Sequence, residues 1–178
     1  MQIYIALLRG INVNGHNIIK MSELKTLFED LGFKNVKTYI QSGNVLFEAD
    51  QDAGTMAGQI EKGIEEKFGL EVPVVIRTRS DLELLIENCP YPADQLGEGE
   101  TVHVAFLSDI PAPEAASRLE PYRSEMEDYT ISGKDVYLFF RKSFHVSKLP
   151  VQLKKLGVHA TVRNWRTVNK LADLAKEL

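Results

Sequence analysis

Sulfur chemistry has little to work with in this chain: Cys89 is the single cysteine among 178 residues. No intrachain disulfide can form, and no paired-cysteine metal site exists. Histidine is almost as sparse. His16, His103, His145 and His159 are scattered, without the His-x-x-x-His spacing that would hold a metal, and no metal is expected. Long apolar runs are missing too. The longest near the start, Ile3 to Leu8, is far too short to span a bilayer, and no basic stretch precedes it as in a signal peptide. A cytosolic location and no membrane partner are expected.

Catalytic signatures are absent as well. The chain has no Gly-x-Gly-x-x-Gly and no Gly-x-Ser-x-Gly elbow. Gly10 and Gly15 have the glycine spacing of a phosphate-binding loop, but His16 and Asn17 stand where Lys and Ser or Thr should follow. A nucleoside triphosphatase of that class is therefore disfavoured. Cys89 precedes a proline and has no sequence partner that marks it as a nucleophile. No cofactor is expected. The sequence names no nucleophile or general base, so it leaves the question of an enzyme open.

What is present is ordinary for a globular protein, with 44% apolar and 26% charged residues. The net charge of −4 hides an asymmetry. From Arg141 onward nine Lys or Arg face only Asp173 and Glu177, a surplus of seven positive charges that leaves −11 for the remainder. One reading is an anion-binding segment; the other is a set of solvated helix faces or a tail packed near the acidic middle.

Two stretches, about Gln2–Arg77 and Thr101–Arg163, repeat one order: strand, helix, strand, strand, helix, strand. Gln2–Leu8 is apolar on both alternating faces, which predicts a central strand covered on both sides. Leu24, Leu27, Phe28 and Leu31 have helical spacing, with Ser22 as the expected N-cap and Gly32 as the C-terminal stop. Val36–Ile40 and Val45–Phe47 flank a hairpin turn at Gln41-Ser42-Gly43-Asn44. Met56, Ile60, Ile64 and Phe68 form a second stripe, and Val72–Ile76 closes the copy. Ser80 and Glu83 predict a capping box for a connecting helix. The second copy starts at Thr101–Leu107 and has a hairpin at Ser132-Gly133-Lys134. Pro150 sits in the first turn of its later helix, and a last helix carries Val168, Leu171, Ala172, Ala175 and Leu178.

The expected fold is α+β: duplicated ferredoxin-like (β-α-β-β-α-β) plaits with a connecting helix and a C-terminal helix. The expected divisions are 1–78, a linker at 79–98, and 99–178. In such a plait the first two strands run parallel. The loop after strand one and the hairpin after strand two then share an edge. That edge is polar. Arg9, Asn12 and Lys20 come from the loop, and Gln41, Ser42 and Asn44 come from the hairpin. A glycine-containing loop entering a helix N-terminus suits an anion. Equally, these residues could simply satisfy loop backbone and internal ion pairs.

A second surface is the sheet of the second copy, where Tyr137 and Phe139 share a face. Aromatics so placed can stack exposed bases, but the RNA-recognition pattern is missing, and burial against the other half or the last helix is the favoured expectation.

From Tyr4-Ile-Ala-Leu-Leu-Arg-Gly-Ile-Asn-Val13 the chain resembles a bacterial family, domain of unknown function 1697. The resemblance continues through Lys20-Met21, Leu31-Gly32-Phe33, Thr38-Tyr39-Ile40-Gln41-Ser42-Gly43-Asn44-Val45 and Ser147-Lys148-Leu149. It resumes at Ala160-Thr161-Val162-Arg163-Asn164-Trp165, then at Thr167-Val168 and Lys170-Leu171. Asn14 stands where the family often has a second glycine, and Ile18 where it often has lysine. The resemblance implies a double α/β plait and no established activity, substrate or cofactor. Arg9, Asn12, Lys20, Gln41, Ser42, Asn44, Arg163, Asn164 and Lys170 match the pattern and are the candidate ligand-binding residues. The expected function is binding of an anionic small molecule, a nucleotide or phosphorylated metabolite. The alternatives are single-stranded nucleic acid on the basic C-terminal region and second sheet, or an interaction protein without ligand.

Overall fold

A computed structural model describes all residues, Met1–Leu178. It is α+β, with two four-stranded antiparallel sheets and six α-helices. The chain divides into two compact units. One comprises Met1–Leu84 with Asn169–Leu178, the other Leu85–Val168.

In the first unit the strands are β1 (Gln2–Leu8), β2 (Lys34–Tyr39), β3 (Asn44–Ala49) and β4 (Val74–Thr78), in spatial order β2-β3-β1-β4. The unbroken apolar run of β1 is explained by its place between β3 and β4, with Tyr4, Ala6 and Leu8 buried on one face and Ile5 and Leu7 on the other. The Tyr4 face packs under α1 (Met21–Asp30) and α2 (Ala53–Phe68) through Leu24, Phe28, Ile60 and Ile64. Phe47 lies 5.4 Å from Phe28 and 4.6 Å from Phe33 between ring centres. Burial of each such ring contributes on the order of 2–3 kcal/mol.

The end of α1 follows from its sequence. Gly32 takes φ +93°, Phe33 N–H reaches back to the Phe28 carbonyl, and Gly32 N–H to that of Glu29. This is the Schellman arrangement, sealed by contact of the Phe28 and Phe33 rings. Two expected caps are corrected. Helix α1 begins one residue before Ser22, with Lys20 at the N-cap and no side-chain cap. Helix α3 (Arg79–Glu87) starts directly from β4, so its capping box is Thr78 and Asp81. Thr78 N–H donates to Asp81 Oδ2 at 2.8 Å, and Asp81 N–H to Thr78 Oγ1 at 3.0 Å. Glu83 pairs instead with Arg79 at 2.9 Å.

The second unit repeats the order with shorter helices: β5 (Thr101–Leu107), α4 (Pro113–Ser117), β6 (Glu127–Ser132), β7 (Asp135–Phe140), α5 (Leu149–Gln152) and β8 (Ala160–Asn164). A 3-10 turn at Leu153–Leu156 extends α5, and α6 (Trp165–Lys176) closes the chain. Its sheet order is β6-β7-β5-β8. Register about the central strand matches that of the first unit, whereas the β2–β3 pair has a shift between Lys34 and Lys37 that β6–β7 lacks. Leu8 N–H donates to Gly43, the residue before β3; Leu107 N–H donates to Lys134, the residue before β7. Arg9 N–H meets the Pro73 carbonyl as Ser108 N–H meets that of His159. Ile5 faces Arg77, and Val104 faces Arg163. The hairpins differ: four residues (Ile40–Gly43) link β2 to β3, and two (Gly133-Lys134) link β6 to β7.

Candidate functional site

Because β1 and β2 are both antiparallel to β3, they point the same way, and their C-terminal ends reach one edge of the sheet. The segments leaving that edge, 9–20 and 40–43, meet there. The first folds on itself. Val13 and His16 form a small antiparallel bridge closed by Asn14 (φ +49°) and Gly15 (φ +76°). Two central residues at positive φ are what a type I′ turn requires, and Asn-Gly is its preferred sequence. Gly15 therefore serves a hairpin tip rather than a phosphate cradle.

Asn12, itself at φ +53°, holds this loop to its neighbour. Its Nδ2 donates to the carbonyls of Ile19 (3.0 Å) and Gln41 (2.8 Å), and its Oδ1 accepts from Ile19 N–H (2.8 Å). Asn17 adds a bond to the Gly10 carbonyl. Gly43 packs so closely beneath the loop that a Cβ there would stand 2.7 Å from Ile11 Cδ1 and 2.9 Å from Leu8 Cβ.

The structure thus brings six candidates together on one rim. Arg9, Lys20 and Gln41 are exposed. Asn44 is buried and donates to the Tyr39 carbonyl (2.9 Å) and to Ser42 Oγ (3.1 Å). Asn12, Ser42 and Asn44 shape the rim, and Arg9, Lys20 and Gln41 are its exposed polar residues. No Asp or Glu occurs in residues 9–22 or 39–47, so the two rim segments are themselves free of acids.

Arg163 and Asn164 belong to the second unit. Arg163 is buried, its Nη1 donates to the Val162 carbonyl at 3.0 Å, and burial pushes its guanidinium down to a pKa of about 10. Asn164 Oδ1 accepts Thr167 N–H at 2.8 Å and so caps α6. Lys170 is exposed on the part of α6 that belongs to the first unit.

Sequence reasoning passed over two features. Arg77 is the register counterpart of Arg163, equally buried, with Nη1 on the Ile76 carbonyl at 3.1 Å. The signal was available: each Arg is the second-to-last residue of the fourth strand of its repeat. The other feature is apolar. Val13, Ile18 and Ile40 are each about half or more exposed on the rim, and Ile40 holds φ +50°, a strained value for a β-branched residue. A groove of about 390 Å³, lined by Met1, Ile3, Glu48, Arg79 and Glu83, lies at the other end of β1 and contains none of the candidates.

In the second unit the aromatic face is closed. Tyr91 stacks on Phe139 with ring centres 5.1 Å apart, and Tyr137 donates to the Leu85 carbonyl at 2.6 Å. Both rings are at least 95% buried, so neither is open to stack a base. The cover comes from the last turns of α3, which carry Leu85, and from the segment between α3 and β5, which carries Tyr91. No group of three His, Cys, Asp or Glu side chains could hold a metal ion, and no helix is long and apolar enough to cross a membrane.

Comparison with known proteins bears on the fold. The conserved bacterial protein SP0830 from Streptococcus pneumoniae superimposes with a TM-score of 0.79 at 23% identity, covering 98% of both chains. No curated protein matches the sequence. Residues 1–137 match the family described as protein of unknown function DUF1697, and the chain belongs to that family.

Proposed function

We propose that the rim of the first unit binds an anionic small ligand, a nucleotide or phosphorylated metabolite, in a cytosolic protein built from two duplicated ferredoxin-like plaits. The equivalent registers of the two sheets support the duplication. One observation carries the binding site: Asn12 fastens the loop bearing Arg9 and Lys20 to the hairpin bearing Gln41, in two segments free of carboxylates. Lys20 stands at the N-terminus of α1, where the helix dipole favours negative charge, part of which Glu23 of the first turn supplies. In this reading Arg9 and Lys20 attract the anion, Gln41 orients it, and Asn12, Ser42 and Asn44 keep the frame rigid. Exposed Ile18 and Ile40 would flank the apolar part of the ligand.

A thermal-shift screen against nucleotides and sugar phosphates tests it. A ligand should raise the melting temperature of the wild type, and the shift should vanish in Arg9→Ala/Lys20→Ala. Equal shifts in both proteins, or none with any anion, would remove the proposal. The nucleic-acid reading loses its stacking surface to Tyr91 and would rest on charge alone.

A further inference from the structure

Charge in this chain is sorted into two uninterrupted blocks. Between Arg79 and Arg118 lie eight Asp or Glu and no Lys or Arg; between Asp135 and Asp173 lie eight Lys or Arg and no Asp or Glu. In the second unit the exposed carboxylates of Glu87, Asp94 and Glu98 and the exposed amines of Lys148, Lys154 and Lys155 fall on opposite faces of one sheet. The acidic block includes the segment that covers Tyr137 and Phe139, where Glu87, Asp94 and Glu98 are exposed. That segment is held by tight turns, with Ala93 N–H on the Tyr91 carbonyl and Gln95 N–H on that of Pro92. Three lysines of the basic block stand on the layer of the other face. Leu149, Leu153 and Leu156 point into the core with Leu138 and Phe140. Lys148, Val151, Lys154 and Lys155 point outward at the complementary helical positions, behind an exposed Val146.

The two sets scarcely neutralise each other. Arg141 pairs with Glu100 at 3.3 Å, and Lys142 with buried Glu127 at 3.1 Å. Lys155 lies over the Tyr122 ring, and Arg118 donates to the Lys155 carbonyl, which adds a cation to the basic layer. Glu114, one turn before Arg118, is the one exposed acid of the acidic block on this basic side, and it forms no ion pair. Lys148, Lys154, Glu87, Asp94 and Glu98 likewise form none. Layers packed on the two sides of a sheet stand roughly 20 Å apart, well beyond a Debye length of about 8 Å at physiological salt. Each set therefore remains available to an outside partner of opposite charge.

We propose that the partner is a second copy of this chain, the basic layer of one molecule docking on the acidic cover segment of the next. Both halves of the complement are present on each molecule. Val146 and Val151 supply apolar area within the basic half. Because the two halves lie on opposite faces, the contact is heterologous, so association propagates from copy to copy rather than stopping at a two-fold pair.

Sedimentation velocity on the full chain tests this over a concentration series at low and high salt. The weight-average mass should rise above 20.1 kDa with concentration at low salt and return to it at high salt. Lys148→Glu/Lys154→Glu and Asp94→Lys/Glu98→Lys, all at exposed positions, should each remain monomeric with unchanged circular dichroism. Mixed together, the two variants should associate again, since the reversed layer of one complements the reversed segment of the other. A monomer at every salt concentration would overturn the proposal. So would association untouched by either variant, or failure of the mixture to recover it.

Discussion

The side-chain amide of Asn12 donates to the Gln41 carbonyl at 2.8 Å, joining the loop after β1 to the tip of the β2–β3 hairpin. The same side chain also makes two bonds with Ile19. Removing it leaves two carbonyls and one N–H to find new partners, and places alanine at a positive φ. Asn12→Ala should cost about 2–3 kcal/mol in urea unfolding. It should also abolish any ligand-induced thermal shift that Arg9 and Lys20 support. A loss below about 0.5 kcal/mol would mean that the loop is held by other contacts.

Gly43 and Gly15 both have positive φ but differ in their surroundings. A Cβ at Gly43 would collide with Ile11 and Leu8, whereas nothing lies within 4 Å of one at Gly15. Gly15→Ala should lose only the left-handed backbone term of about 1 kcal/mol. Gly43→Ala should lose about 3 kcal/mol, because overpacking is added to the same term. Equal losses at the two sites would show that the hairpin tip moves away without cost.

Ile40 carries backbone strain at an exposed tip, at φ +50° and 47% exposure. Asn tolerates that region far better, so Ile40→Asn should stabilise the protein by about 0.5–1 kcal/mol. If the rim binds ligand partly through Ile40, the same change should weaken the ligand-induced shift while raising the melting temperature of the free protein. A stabilised variant with undiminished binding would separate Ile40 from the site.

Local chemistry explains which elements could be read from the chain. The two-faced apolar pattern of β1 placed it at the centre of a sheet, and Gly32 stopped α1 where a positive φ was needed. Boundaries slipped where geometry overrode propensity. Ile40 looks like a strand residue, yet β2 ends at Tyr39 and Ile40 turns the corner. Ser80 looks like an N-cap, yet α3 begins one residue before it because Thr78, still in β4, already has Asp81 within reach. The shared edge of loop and hairpin followed from topology alone. That Asn12 and Asn44 spend their amides on backbone carbonyls did not, since an asparagine in a loop looks the same whether it faces a ligand or its own chain. The cover of Tyr91 over Phe139 was also hidden, because nothing in a segment of prolines and acids fixes the strand it returns to across 48 residues of chain.

His103 gives the second unit a pH dependence of definite sign. Its ring stacks on Phe144 at 4.5 Å and meets Phe140 edge-on, and its Nδ1 is buried without a hydrogen bond. Burial, helped by the nearby His145, pushes its pKa down from 6.5 to about 4. Between those values the unfolded chain holds the proton and the folded chain does not. Stability must therefore fall as the pH drops through 6.5 and stop falling, for this group, below about 4. The full loss is about 2–3 kcal/mol after allowance for the partial exposure of the ring. His103→Phe keeps the stacking and removes the titration. Unfolding curves collected from pH 7 to pH 4 should show the wild type losing that much more than the variant, most of it between pH 6 and pH 4.5. Parallel losses in the two proteins would place the proton elsewhere and show that Nδ1 finds a partner in solution.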